Sequence, residues 1–312
     1  MANTLWVERY RPQVVDDYVW QNDSQRNMVN RWIQEKTIPH LLFSGSPGTG
    51  KTTLAKILLN SLELNEYDIL EINASRDNGV DYIREKIERF VGTMPFGDYK
   101  VVLLDEADYL SPNAQAVLRG LMETYSASSR FILTCNYPNK IMPALHSRCQ
   151  GFHIDKIDET EFTARMAKIL LDEGVTFDID LLDTFVRASY PDLRKCINNV
   201  QLNVSAGVLQ KPETRSESSQ DYRIEAVALM KQGQYRAARQ LIINQIRLDE
   251  IEEFYRWTYD NLGLWAKDIQ RQDEAIVTIA QALANHGVSC DPEITLSACL
   301  IQLCNLSEKE KA

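Results

Sequence analysis

Two short stretches carry the residue types that phosphate chemistry needs. In the first, Gly45-Ser-Pro-Gly-Thr-Gly50-Lys51-Thr52 fits the spacing G-x-x-x-x-G-K-[ST]. Glycines at those positions let successive backbone N–H groups curl around phosphate oxygens, and a helix starting at the lysine adds the positive end of its dipole. Lys51 would then reach the β- and γ-phosphates of ATP, and the Thr52 hydroxyl would ligate Mg²⁺. The second stretch is VVLLDEAD, residues 101–108. Asp105, at the end of an apolar run, can hold the water shell of that Mg²⁺, and Glu106 can polarise an attacking water. The letters DEAD also head a large helicase family, but that core needs two α/β domains in tandem and only one is legible here.

Three further polar residues could read the nucleotide. Asn136 closes the run FILTCN, expected beside the Asp105 strand, where its amide could bond the γ-phosphate or the lytic water; it could equally serve to turn the chain toward Pro138. Arg148, in HSRCQ, precedes the last apolar run, and Arg194, in YPDLRKCINNVQ, opens a helix. Either could also be a solvated surface arginine.

These groups need elements to hold them. HLLF (40–43), DILEIN (68–73), KVVLLD (100–105), RFILTCN (130–136) and GFHI (151–154) are nearly continuous in apolar residues and alternate with helix-like stretches. Such runs predict buried parallel strands covered by helices, an α/β P-loop domain over residues 1–156. From Asp158 onward helical periodicity takes over: Phe162, Met166, Ile169 and Leu170 form one stripe, and a second helical stretch runs from about Leu181 to Val204. A small helical domain is therefore expected over 157–208. The polar, proline-containing LQKPETRSESSQ (209–220) reads as a linker. Residues 221–312 read as an all-α domain of four or five helices ending in the stripe Leu296, Leu300 and Leu303.

Composition narrows the roles. The 312 residues carry a net charge of −10 and a pI near 5.1, which argues against a protein that coats nucleic acid; any DNA contact must be local. The opening MANTLWVERYRP has no apolar h-region and no run approaches a membrane span, so neither a signal peptide nor a membrane helix is expected. Six cysteines without a CxxC pair argue against zinc and fit a reducing, cytoplasmic compartment. The best local basic face lies in VDYIREKIERF (80–90), where Ile83, Ile87 and Phe90 form an apolar stripe. Arg84, Lys86 and Arg89 then fall on other faces, with Arg76 upstream. Glu85 and Glu88 make a solvated, salt-bridged face the simpler reading of the residues alone.

In this order, GSPGTGKTT, LLDEAD, LTCN, SRC and PDLRK resemble the AAA+ ATPases and, within them, the clamp loaders. LWVERYRP (5–12), EINASRDNGVDYIREKI (71–87) and LSPNAQAVLRGLMETYS (110–126) extend the likeness, which is dense over residues 5–205. Length and the compact C-terminal part look most like the large subunit of tailed-phage clamp loaders, with the small subunit of replication factor C close behind. The resemblance implies a helical lid over 157–208 and an oligomerising collar over 221–312. It implies that Val7, Glu8, Arg9, Tyr10 and Val19 line the adenine side, and that Gly48, Thr49, Gly50, Lys51, Thr52 and Thr53 hold the phosphates. Thr52 and Asp105 would hold Mg²⁺, with Glu106, Lys51, Asn136 (sensor 1) and Arg148 catalytic. Arg194 would be sensor 2, and Arg148 an arginine finger reaching the next subunit's ATP, worth about 10³–10⁵ in rate in related NTPases. Arg84, Lys86 and Arg76 would contact DNA phosphates.

The implied partners are other loader subunits in a pentameric homo- and hetero-oligomeric ring, a sliding clamp and primer–template DNA. The implied work is ATP-driven clamp loading in DNA replication, in the host cytoplasm and as viral DNA replication if the chain is phage-encoded. Ser46 and Pro191 depart from the commonest residues, a proline and a glycine, without removing a functional group. Other AAA+ DNA machines, a branch-migration helicase or a replication initiator, stay open, as does a scaffold that binds nucleotide without turnover. An initiator would be expected to carry a DNA-reading domain, and 221–306 shows no basic recognition helix. The intact Lys51, Asp105, Glu106 and Asn136 speak against the scaffold. Exposed apolar residues at Met94-Pro95-Phe96 could grip the clamp, and Gln115 could couple DNA contact to Glu106.

Overall fold

The structure is a computed structural model that describes residues 5–20, 22–77, 79–211 and 222–308. Residues 10–158 form one compact unit; the second gathers the segment up to Arg9 with the chain from Glu159 onward. The first helix, α1 (Trp6–Arg9), thus belongs to the second unit. The first unit then runs α2 (Asp23–Gln34), β1 (Leu41–Ser44), α3 (Lys51–Ser61), β2 (Ile69–Asn73), α4 (Val80–Val91), β3 (Lys100–Asp105), α5 (Pro112–Thr124), β4 (Ser129–Cys135), α6 (Pro143–His146) and β5 (Gln150–His153). All five strands pair in parallel in the order β2-β3-β4-β1-β5.

Successive residues of a strand point to opposite faces, and here both faces are covered, which is why the strands read as unbroken apolar runs. Leu42, Val102, Leu104, Phe131 and Leu133 pack on one side with Ile83 and Ile87 of α4 and Leu118 of α5. Leu41, Phe43, Val101, Leu103, Ile132 and Phe152 pack on the other with Val29 and Trp32 of α2 and Leu54 and Leu58 of α3. On α4 the fully buried stripe is Ile83, Ile87 and Val91, while Phe90 is half-buried with the Lys100 ammonium over its ring at 4.7 Å. Helix α5 starts where Ser111 caps it, accepting from the Ala114 N–H at 3.2 Å, with Pro112 in its first turn.

The second unit continues with α7 (Glu159–Asp172), α8 (Ile179–Ser189), α9 (Leu193–Leu202), a hairpin of β6 (Val204–Ser205) and β7 (Val208–Leu209), then α10 (Tyr222–Lys231), α11 (Tyr235–Gln245), α12 (Ile251–Asp260), α13 (Ile269–His286) and α14 (Pro292–Glu308). Phe162, Met166, Ile169, Leu170, Leu296, Leu300 and Leu303 are all buried. The stretch read as one helix from Leu181 to Val204 is broken. Pro191 has no N–H and pushes Tyr190 out of the α region, and Asp192 then caps α9 by accepting from Lys195 N–H at 3.0 Å. The hairpin corrects the expectation that strands end before Asp158. Its two turn residues, Ala206 and Gly207, both take positive φ (50° and 76°), the geometry of a tight hairpin turn, and two-residue strands are too short to show alternation. Of the expected linker, residues 212–220 lie outside the described residues.

Helix α1 packs on α9: the Trp6 N–H donates to Gln201 Oε1 at 2.9 Å and Arg9 pairs with Glu173. Among the described residues no helix is long and apolar enough to cross a membrane.

His40, just before β1, accepts from the Phe131 N–H through Nδ1 at 3.1 Å. Burial, reinforced by the Arg130 charge, pushes its pKa down from 6.5 to about 4. The folded state therefore binds this proton less readily than the unfolded chain. The associated stability is complete above pH 6.5 and is lost as pH falls from 6.5 through 4. Denaturant titrations across that window should show a loss on the order of 1 kcal/mol from this site, discounted for partial exposure. His40→Asn, which keeps an acceptor, should flatten that part of the profile.

Candidate nucleotide-binding and hydrolysis site

In a parallel sheet the carboxyl ends of the strands share one edge, where ligands bind. Here that edge brings together the loop after β1, the acidic end of β3 and the end of β4. The loop after β1 needs its glycines. A Cβ on Gly45 would sit 2.1 Å from the Ile154 carbonyl oxygen just past β5, and Gly50 takes φ +93° against the Tyr18 ring while opening α3. Lys51, only 7% exposed, bends its ammonium back into the loop and donates to the carbonyls of Gly45 (3.0 Å) and Ser46 (2.7 Å). Thr49 Oγ1 donates to the Ser46 carbonyl at 2.9 Å. Tyr18 lies one residue before Val19. Its hydroxyl donates to the Thr49 carbonyl at 3.4 Å, and burial raises its pKa. Tyr18, which the sequence reading did not name, thus contacts the loop one residue before Val19, expected on the adenine side.

Asp105 ends β3. Its Oδ1 accepts from Thr52 Oγ1 at 2.7 Å and from Thr134 Oγ1 at 2.6 Å, and Thr134 Oγ1 in turn accepts from the Glu106 N–H at 3.0 Å. Glu106 takes the left-handed conformation (φ 58°, ψ 43°), uncommon for a residue with a Cβ. Hydroxyl and carboxylate oxygens are the hard donors that Mg²⁺ selects, so Thr52 and Asp105 suit that ion. Asn136 follows β4 directly. Its N–H and that of Tyr137 both donate to Oδ2 of buried Asp108, at 3.2 and 3.1 Å. Neighbouring Cys135 is an inert thiol, its pKa pushed up to about 12 by burial first and the Asp108 charge second. Thr134 and Asp108 were both missed by sequence reading. A threonine in an apolar run looks like a strand former, and the second Asp of DEAD looks like one more turn acid.

Arg148 follows α6, where it donates to the Ala144 carbonyl at 2.7 Å and pairs with Glu123 of α5. The Gln115 amide, buried on α5, donates to the carbonyls of Leu110 (3.1 Å) and Lys140 (3.0 Å) and accepts from the Met142 N–H at 2.7 Å. The bonds to Lys140 and Met142 lead to the segment before α6, and none of the three goes to Glu106, the partner expected from sequence. Tyr10 and Thr53 are in the first unit. Val7, Glu8 and Arg9 on α1 and exposed Arg194 on α9 lie in the second unit. On and beside α4, Arg76 and Arg84 are exposed. Arg84 faces Asp81 at 3.9 Å, while Lys86 is half-buried and held by the Tyr82 hydroxyl and ring.

Asp108 anchors the Asn136 turn with two charge-assisted bonds. Asp108→Ala should cost about 1–3 kcal/mol in denaturant unfolding, because two backbone N–H groups lose their acceptor. A loss below about 0.5 kcal/mol would mean that the turn holds without it.

Comparison with known proteins adds family evidence. The "ATPase family associated with various cellular activities (AAA)" matches residues 41–155, a family whose domain binds nucleotide. The Replication factor C small subunit of Staphylothermus marinus is 34% identical over 100% of this chain and 98% of that protein. That of Sulfurisphaera tokodaii is 37% identical over 88% of this chain and 82% of its own length. That of Methanococcus vannielii is 36% identical over 75% and 77%. Among solved structures, a Thermotoga maritima RuvB Holliday junction branch migration motor aligns over 79% of this chain and 80% of its own, with a TM-score of 0.54 at 15% identity, a likeness of fold alone.

Proposed function

The chain belongs to the replication factor C small-subunit family, and on that premise we propose that it is an ATP-hydrolysing clamp-loader subunit of DNA replication, acting in the cytoplasm. What carries the hydrolysis reading is one cluster: Lys51 inside its loop, with Thr52 and Asp105 bonded and Glu106 beside them. ATP binds through Gly48, Thr49, Gly50, Lys51, Thr52 and Thr53, with Val7, Glu8, Arg9, Tyr10 and Val19 on the adenine side. Thr52 and Asp105 would hold Mg²⁺, which when bound would supply positive charge beside the transferring phosphoryl group. Glu106 orients and deprotonates the attacking water, Asn136 bonds the γ-phosphate or that water, and Arg194 reads the nucleotide from the lid. Arg148 acts on the ATP of the next subunit, and its partner Glu123 gives it a carboxylate to exchange for phosphate.

The subunit works in a pentameric ring of like and unlike chains. Exposed apolar side chains on paired helices support that reading: Val277 and Leu283 on α13, Ile294 and Ile301 on α14. Arg76, Arg84 and Lys86 contact DNA phosphates, a contact or two per chain that sums around a ring to a sequence-independent, salt-dependent grip. Met94 (89% exposed) and Phe96 (75% exposed) offer the clamp an apolar contact. Buried Asp68 supports this by accepting from the N–H groups of Phe96 (3.0 Å) and Gly97 (2.8 Å), and the Phe96 ring leans on Tyr67 with centroids 5.7 Å apart. The phage-loader likeness rests on length and the C-terminal part, so replication factor C is the reading adopted.

Steady-state hydrolysis by the assembled complex should rise strongly when clamp and primed DNA are both added; a flat rate would point to a different AAA+ machine. Arg148→Ala should cut turnover by at least about 10³-fold with ATP affinity nearly intact, whereas Lys51→Ala should lose both. Equal loss of ATP binding in the two variants would sink the trans assignment. Phe96→Ala should weaken clamp affinity while leaving clamp-free hydrolysis unchanged, and unchanged clamp affinity would reject that grip.

A further inference from the structure

Strand β4 holds a hydroxyl where burial favours hydrocarbon. Its neighbours Phe131, Ile132, Leu133 and Cys135 are buried and apolar, and Thr134 between them is 1% exposed. A valine would match its shape and β-propensity, so the hydroxyl needs a reason of its own. Its single proton goes to Asp105 Oδ1 (2.6 Å), and one of its lone pairs takes the Glu106 N–H (3.0 Å).

The two bonds reach the site's two acidic residues, one at the Asp105 carboxylate and the other at the Glu106 backbone. Asp105 Oδ1 receives Thr134 and Thr52 together, which fixes the rotation of the carboxylate and leaves Oδ2 outside that pair of bonds. Glu106 sits in a left-handed conformation that is unfavourable for a residue with a Cβ, and such a backbone persists only when its surroundings over-determine it. The bond from its N–H to Thr134 is one such constraint. One hydroxyl thus ties the orientation of the metal-holding carboxylate to the backbone of the residue that orients water.

We propose that Thr134 is a positioning residue of the hydrolysis site, setting Asp105 toward Mg²⁺ and Glu106 toward the attacking water. The assignment rests on the ATPase reading above, and it makes the hydroxyl rather than the side-chain shape the active feature.

The test compares full-length wild type with Thr134→Val and Thr134→Ser. Binding of a fluorescent ADP is titrated with and without Mg²⁺, and steady-state hydrolysis is measured in the assembled complex. With valine, affinity in Mg²⁺-free buffer should stay within about twofold of wild type. The Mg²⁺ concentration for half-maximal enhancement of binding should rise about 10–100-fold, kcat should fall by a similar factor with KM little changed, and serine should restore both. A valine variant with wild-type Mg²⁺ dependence and kcat overturns the proposal, as does a serine variant as impaired as valine, which would make packing the cause. Should valine lose the fold by thermal melting, Thr134→Ala, which leaves room for a water, carries the same comparison against serine. Absent hydrolysis in the wild type would instead overturn the ATPase reading, and the Mg²⁺ titration would still decide Thr134.

Discussion

The oxygen Asp105 Oδ1 is where the molecule's separate elements become one site. It takes hydroxyl protons from Thr52 on α3 and Thr134 on β4, so a helix and two strands converge on one atom. That convergence depends on register. With Val101 opposite Arg130 and Leu104 opposite Leu133, Asp105 at the end of β3 comes level with Thr134. A slip of one residue would turn Thr134 to the other face, and the Asp105 carboxylate and the Glu106 backbone N–H would both lose that partner. Large apolar side chains on both faces of the sheet fix that register, so the core and the chemistry are specified by the same packing.

Outward from that atom, polar joints continue the order in steps. Asp108 holds the turn at Asn136, and Gln115 fastens α5 to the segment that leads through α6 to Arg148. All are buried groups with several bonds, the kind whose geometry is costly to change. The candidate site residues therefore stand on stiff supports, while Arg148 and Glu123 remain half-exposed at the end of the series.

Much of the fold around the candidate site was legible because its signals are local. The spacing from Gly45 to Thr52 and the run ending in Asp105 encode a strand–loop–helix and a strand end within a few residues each. Buried parallel strands announce themselves as unbroken apolar runs, and each of the five lies within a residue or two of its expected place. What escaped were pairings across the fold. Trp6 reaches Gln201, 195 residues away, and nothing near either residue signals it. Thr134 hides because its methyl group fits the strand pattern while its hydroxyl answers to Asp105, 29 residues earlier. Pro191 was visible, but helical periodicity on both sides masked the break it causes.

The exposed aromatic pair Tyr67 and Phe96, joined beside Asp68, has a colloidal consequence. Tyr67 and Phe96 pack against each other while exposed, and with exposed Met94 on the same loop as Phe96 they are the kind of apolar surface through which loose copies of a chain stick to one another. A net charge of −10 opposes this, because like-charged chains repel before apolar surfaces meet. At physiological ionic strength that repulsion reaches only about 8 Å, so it slows indiscriminate encounters yet is weak once a partner of opposite local charge has arrived. The acidity that counts against wholesale DNA binding thus acts as a kinetic filter on protein contacts, and added salt lowers it.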